Sequence, residues 1–467
     1  MNRSTGTCCM LGVAFFLFGL DSAQAFEWEI TRVDEREGFM HSESLAVGPN
    51  GKLYVSYVLA NSPGSTAGVY VATRNDGAWS RTLVSGSFAG YGTRLSVNPA
   101  TGLPGVVFQS NAGGGRTRLE FWEYNGVEWV RQDVPLAPNQ CDAVLAYSLG
   151  GEAYIAYTLG TTVAGEPLYF ARVARRTVNG WEDVPVPVQG DWLNLAVAGD
   201  TIVAVGSSIT RGLPGLRWLD AMRLLPGNLA ADTVDHLPSE AVDGEICARI
   251  PGLAIGKEND IVLAYCTVYT VDSENFAELK MARFHGASWS SPEVLLGGGS
   301  VSDPAAYALG LLFRQQLTLT STDSGRPFVF GVAEDFGSVN VAYQRAGMWN
   351  VETIDACDSC SGLWRGGASG IDPETSAPIV VYSRGSQFRV DTVVHVARLV
   401  PPTGDSDGDG DVDLIDFGSF AGCLNGANQL PNAYPGIDEC LNAFDFNLDG
   451  DVDLQDFLEF QTAFSGS

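Results

Sequence analysis

A unit of about fifty residues recurs along most of the chain, and a period of that length constrains the fold more than any other property of the sequence. Residues 45–57, LAVGPNGKLYVSY, and 95–108, LSVNPATGLPGVVF, each read as an alternating apolar strand, a turn of Gly, Pro and Asn, and a second alternating strand. Val47, Val97, Tyr147 and Val197 stand fifty residues apart in equivalent places, and further copies begin at Leu253, Leu317 and Ser369. A second hairpin follows each of these, and its turn runs into Trp79, Trp129, Trp181, Trp289 or Trp349. The fourth copy has Pro226-Gly-Asn-Leu229 in place of the tryptophan turn. Asn-Gly and Asp-Gly at these turns supply the positive φ that two-residue hairpins require.

Four strands per fifty residues, repeated around a ring, predict an all-β fold, a seven-bladed β-propeller over residues 26–400. The seventh copy stops after its third strand, Thr392 to Leu399, and a stray strand, Phe26 to Val33, sits at the other end. The expectation is that the N-terminal strand completes the last blade, which removes both exposed sheet edges. Two stacked sandwiches would also use the strands but would leave that stray strand unexplained. The repeated tryptophans are then expected to pack blades together.

Residues 1–25 carry Arg3, an apolar run from Cys9 to Leu20 and an Ala23-Gln-Ala25 cleavage pattern, which predicts a secretory signal peptide. Twelve apolar residues fall short of a bilayer, and no other stretch predicts a membrane span. An exported chain is expected to oxidise its cysteines. Cys357–Cys360 is expected to form a small disulfide loop, Cys247–Cys266 a cross-strand bridge and Cys423–Cys440 a clasp near the C-terminus, with Cys141 left over.

After a short Pro-Pro-Thr-Gly linker at 401–404, residues 405–467 form a separate acidic domain. Residues 401–467 contain 14 acids and no Lys, Arg or His, half of the net charge of −28, which argues against a nucleic-acid partner. Residues 405–416, DSDGDGDVDLID, match a twelve-residue calcium loop, with Asp405, Asp407 and Asp409 at positions 1, 3 and 5, Gly410 at the bend, Asp411 at 7 and Asp416 at 12. Asp445, Asn447, Asp449, Asp451 and Asp456 repeat the set forty residues on. Two Ca²⁺ sites are therefore expected. With amphipathic segments at Leu414 to Leu424 and Leu454 to Phe464, the pair resembles dockerin modules, tandem loop-helix units that dock secreted bacterial proteins onto cohesin partners. The resemblance implies a small α-helical EF-hand pair and a cohesin-like protein partner. Two departures from the dockerin pattern are a long insert between the copies and Leu414-Ile415 and Leu454-Gln455 at positions 10 and 11.

In its inner strands, such as GKLYVSY, and its outer Gly-x-x-Trp turns, the repeat region is similar to sialidase-like and BNR-type propellers of secreted bacterial proteins. It lacks their Ser-x-Asp-x-Gly-x-x-Trp box and their Phe-Arg-Ile-Pro stretch. The loops on one face of such a ring converge on a funnel, the usual ligand site. That face is expected to gather Arg94, Arg249, Arg314, Trp364 and Arg365, with Arg36 nearby. Guanidinium groups aimed at the axis suit an acidic glycan, because arginine holds carboxylate and sulfate bidentately. The expected function is ligand binding, of a glycan, by an exported propeller that attaches to an extracellular or cell-surface assembly through its calcium-dependent dockerin-like module. The alternatives are a hydrolase or lyase acting on acidic glycans, with Asp191, Glu245 and Asp358 available for hydrolysis and His41, Tyr91 and His236 for elimination, or a structural surface protein.

Overall fold

The computed structural model describes residues 27–464 apart from several loops and turns, the longest being 208–217, 301–315 and 357–367, with 247–250, 385–391, 407–411 and 432–436 also outside. The described residues form seven antiparallel sheets, six of four strands and one of six, in a propeller-like arrangement. The first sheet is typical: Phe39–Val47, Leu53–Ala60, Gly68–Asn75 and Ala78–Ser85 pair in chain order as two linked hairpins. Its inner turn closes with Gly48 N donating to Lys52 O at 2.8 Å, and Gly51 takes φ of 80°. One hundred residues later Ser148 N donates to Glu152 O at 2.9 Å, with Gly151 at φ of 83°. That left-handed conformation is open to glycine without the Cβ clash, which explains the recurring glycine at the turn.

The stray strand behaves as expected. Trp28–Arg32 pairs antiparallel with Val393–Leu399 in a register that runs from Trp28 opposite Leu399 to Arg32 opposite His395. Val400 N extends the ladder to Glu27 O at 2.9 Å. The last sheet is therefore made of three strands from the end of the repeat region and one from its start.

The fifth sheet departs from the four-strand pattern. Its inner strand is split into Asp243–Ile246 and Gly252–Ile255, both paired with Ile261–Val271, and its outer strand into Ser288–Trp289 and Glu293–Ser300. Pro251 stands at the first break and Pro292 at the second, and proline lacks the amide that a continuous ladder needs.

The cores lie between sheets. Tyr54, Val58 and Val71 of the first sheet pack with Leu95, Val106 and Phe108 of the second. Val107 and Phe121 of the second join Leu145 and Tyr157 of the third. At the other end of the series, Phe328 and Tyr343 of the sixth sheet share a cluster with Val380 and Leu399 of the seventh. Ile379 and Val396 of the seventh in turn pack with Met40, Leu45 and Val55 of the first. Trp79, Trp129 and Trp181 lie partly buried against these clusters, and Trp289 and Trp349 against the clusters between the fourth and fifth and the fifth and sixth sheets, the packing role expected of them.

Polar staples accompany the apolar ones. Tyr57, Tyr265 and Tyr382 occupy equivalent places on second strands and are fully buried. Their hydroxyls donate to Asp34 at 2.6 Å, Asp235 at 2.8 Å and Asp355 at 2.8 Å, and each of these acids lies at or just after the end of the preceding outer strand. A hydrogen bond to a charged group contributes about 1.5–3 kcal/mol, so three such bonds are a material part of the cohesion between sheets.

Among the described residues that follow the last sheet there are three helices: α1 Leu414–Cys423, α2 Ile437–Phe444 and α3 Leu454–Ala463. The first and third coincide with the expected amphipathic segments. Each starts with a capping box, in which Asp413 or Asp453 accepts from the backbone two residues on while Asp416 or Asp456 accepts the cap's own amide. Phe420, Phe444 and Phe460 form the centre of a core that also contains Val412 and Val452. The Cys423–Cys440 disulfide, with Cα atoms 5.4 Å apart, joins α1 to α2 inside that core. Cys357, Cys360 and Cys247 lie outside the described residues. Cys266 is buried, with its Sγ 3.8 Å from the carbonyl of Thr267.

Candidate functional site

Besides the tyrosine staples, polar groups of the described residues gather in the acidic loops and around Glu43 in the first sheet. In the second acidic loop the Asp445 carboxylate accepts from Asp449 N at 2.8 Å and Gly450 N at 2.9 Å, which curls the chain around it. Gly450 takes φ of 89° at the bend and Leu448, just before, takes φ of 56°. Asp449, Asp451 and Asp456 bring one carboxylate oxygen each to within 4.8 Å of one another. Asp456 is fully buried, and its oxygens accept from Asn447 N at 3.3 Å and Asp453 N at 2.8 Å.

Burial pushes the Asp456 carboxyl up to about 7; the two backbone amides oppose the shift, and the charges of Asp449 and Asp453 add to it. Carboxylates held this close repel unless a cation sits among them. The donors are all oxygen and stand at alternate positions along a bent loop, a set that fits a hard cation of the size of Ca²⁺ rather than a soft metal.

The first loop repeats what can be compared. Asp416 is fully buried and accepts from Ser406 N at 2.6 Å, Ser406 Oγ at 2.9 Å and Asp413 N at 2.9 Å. Asp405 is described at the loop's start, whereas Asp407, Asp409 and Asp411 lie outside the described residues.

Around Glu43, polar residues are buried within the first and second strands of neighbouring sheets. Ser56 and Thr93 hydroxyls of adjacent sheets lie 2.8 Å apart, and Ser44 Oγ accepts from Leu95 N at 3.1 Å. Glu43 sits where the ladder of Phe39–Val47 slips register between His41 and Ser44. Such bulges re-aim side chains. Its carboxyl is fully buried and accepts from Ser383 Oγ of the seventh sheet at 2.7 Å. Burial raises this carboxyl to about 7, against the hydrogen bonds of Ser383 and the backbone and the positive charge of Arg94. Arg94, at the start of the second sheet, is half-buried and donates to Thr93 O at 3.1 Å.

Of the five expected funnel residues, Arg94 is therefore placed, while Arg249, Arg314, Trp364 and Arg365 lie outside the described residues. Arg36 is not a free guanidinium. It holds Asp34 through Nε at 2.9 and 3.0 Å and stacks 4.2 Å above the Tyr70 ring. His41 and His236 lie in strands rather than the loops expected for them, as does Glu245. Tyr91, Asp191 and Asp358 lie outside the described residues. Glu43 was not legible as a site residue, because a single glutamate in an alternating strand reads as a solvent-facing position. The sole hint is the polar run His41-Ser-Glu-Ser44, too dense for one face of a regular ladder.

No protein-family model matches the sequence, and no curated protein matches it. Among solved structures the chain is similar to a polysaccharide lyase, at 9% identity over 77% of this chain and 90% of the lyase with a TM-score of 0.48. It is similar to the α-L-arabinanase of Penicillium chrysogenum, at 11% identity over 79% of this chain and 97% of that one with a TM-score of 0.46. The β-propeller domain of the trilobed protease of Pyrococcus furiosus matches at 12% identity over 76% and 93% of the two chains, with a TM-score of 0.41. At such identities no site residue passes from these proteins to this one.

Proposed function

We propose that this protein is an exported, carbohydrate-active seven-bladed propeller, closed by its own N-terminal strand, that takes an acidic glycan at its axial face and is tethered through a calcium-loaded dockerin-like module. The observation that carries the carbohydrate reading is the buried Glu43 carboxyl of the first sheet, which accepts from Ser383 Oγ of the seventh sheet and feels the positive charge of Arg94 of the second. A carboxyl that burial raises to about 7 is equipped to give or take a proton near neutral pH, and a guanidinium whose charge reaches it is equipped to neutralise a uronate or sulfate. Arg249, Arg314, Trp364 and Arg365 would complete the funnel from neighbouring loops.

The test is a screen of uronate-bearing and sulfated polysaccharides, followed by absorbance at 235 nm for elimination and by reducing ends for hydrolysis. Product formation that falls at least about a hundredfold in Glu43→Gln, the low end of what a general acid or base contributes, supports catalysis. Glycan binding that needs Arg94 but yields no product leaves the ring a binding domain. Neither binding nor product removes the carbohydrate reading.

In the module, Asp405, Asp407, Asp409, Asp411 and Asp416 would hold one Ca²⁺ and Asp445, Asn447, Asp449, Asp451 and Asp456 the other. Leu414 and Ile415 of α1 and Leu454 and Leu458 of α3 are well exposed, apolar surface of the kind a cohesin-like partner would cover. Calcium-dependent pull-down of a cohesin domain, lost in Leu414→Asp with Leu454→Asp, tests the tether. Export is tested by N-terminal sequencing of the secreted protein, expected to begin at Phe26.

A further inference from the structure

Leu448 is the fourth residue of the second acidic loop, yet it is not part of the helical module's core. It is almost fully buried in the apolar cluster of the propeller region, with Trp28, Phe330, Ile354 and Leu399. These come from the sixth and seventh sheets, including both strands of the seam that joins the two ends of the repeat region. The chain reaches this place directly: Val400 is bonded to Glu27 at the seam, and Gly404 N donates to Ala443 O at the end of α2 at 3.0 Å.

The backbone of Leu448 lies in the left-handed region, with φ of 56°, which is costly for a large side chain. The sister loop has Gly408 at the same position, a residue that meets that geometry without strain. The second loop thus carries a leucine where its own repeat carries glycine, and that leucine is spent on the ring. Its turn is fixed by Leu448 N donating to Asp445 O at 3.2 Å and by Asp449 and Gly450 donating to the Asp445 carboxylate. The groups that shape the cation loop are the groups that present Leu448.

We infer that the second acidic loop is a cation-dependent latch, in which Leu448 docks the module onto the seam of the propeller. The inference rests on the calcium reading given above. Cation binding holds the strained turn that aims Leu448 into the ring, and by linkage the docked ring holds the loop in its binding shape. The module is then a clasp over the seam as well as a tether.

The experiment compares the full-length protein with full-length Leu448→Asn and Leu448→Gly, both compatible with left-handed φ. Calcium stoichiometry is measured by metal analysis after desalting, overall size by small-angle scattering, and protection of the strands Trp28–Arg32 and Val393–Leu399 by hydrogen exchange. The latch predicts that calcium makes the parent protein more compact and protects the seam. Both variants should still bind two ions, with α1 and α3 folded by circular dichroism, but lose the compaction and the added protection. A parent that binds two ions without change in size or seam protection overturns the latch while leaving the calcium reading intact. Variants as compact and protected as the parent also overturn it, and a parent that binds no calcium overturns both.

Discussion

The hydroxyl of Tyr57 donates to the carboxylate of Asp34 at 2.6 Å, joining the second strand of the first sheet to the segment that leaves the N-terminal strand. Asp34 is fully buried and also holds Arg36 and Arg81, and its hydrogen bonds to Arg36 and Tyr57 outweigh burial to keep the carboxyl below its usual range. Tyr57→Phe removes one of several donors and is expected to cost about 1–2 kcal/mol. Asp34→Ala leaves Arg36 and Tyr57 without their acceptor and is expected to cost about 3–5 kcal/mol. Urea unfolding followed by tryptophan fluorescence checks the order of the two.

The same acid sets a pH limit. Because the folded carboxyl of Asp34 lies below its unfolded value of 3.8, its contribution is complete above that value and is lost as pH falls through the lower folded value. Asp34→Asn should therefore be less stable than the parent at neutral pH, with the gap closing below about pH 4. Midpoints that keep the same gap down to pH 2 would exclude this role.

Glu43 acts in the opposite direction. Its folded value of about 7 lies above the ordinary 4.5, so the stability of the neutral, buried form is complete below 4.5 and is lost as pH rises through about 7. The parent should lose up to about 3 kcal/mol across that window. Glu43→Gln should flatten the profile and be the more stable protein at pH 8, as read by thermal melting across a pH series.

The disulfide and the cations are expected to share the work in the module. Cys423 and Cys440 are 17 residues apart, and the chain-entropy model gives about 3 kcal/mol for closing a loop of that size. Cys423→Ser with Cys440→Ser should lower the melting point of the module and raise the calcium needed to fold it. Asp456→Ala should reduce bound calcium from two ions to one, measured by metal analysis, and chelation should abolish the helical signal in both proteins.

Much of the β architecture was readable in the sequence because its period is strong. Alternation marks each strand, glycine marks the turn, and the missing fourth strand of the last copy left a gap that Phe26 to Val33 could fill. The split fifth sheet was hidden, since Pro251 and Pro292 interrupt a ladder without disturbing the apolar alternation around them. The staples of Tyr57, Tyr265 and Tyr382 were also hidden: the tyrosines recur visibly, but their partners lie on other sheets, 23 to 30 residues earlier. Helix α2 falls within the insert between the loops, where no dockerin-like pattern marks it. Leu448 looked like one loop residue among others until its burial beside Trp28 set it apart from Gly408.

The pairing of Trp28 with Leu399 has a consequence for how the chain is made. A sheet whose edge strand comes from the start of the repeat region and whose other strands come from its end has no native partner for that strand until the whole repeat region has been made. Until then, Trp28–Arg32 must wait as an unpaired β-segment, the kind of edge that recruits other chains. Contacts between distant parts of a chain also form slowly. The last sheet should thus be the last to form and the first place where a truncated or stalled chain associates with a neighbour.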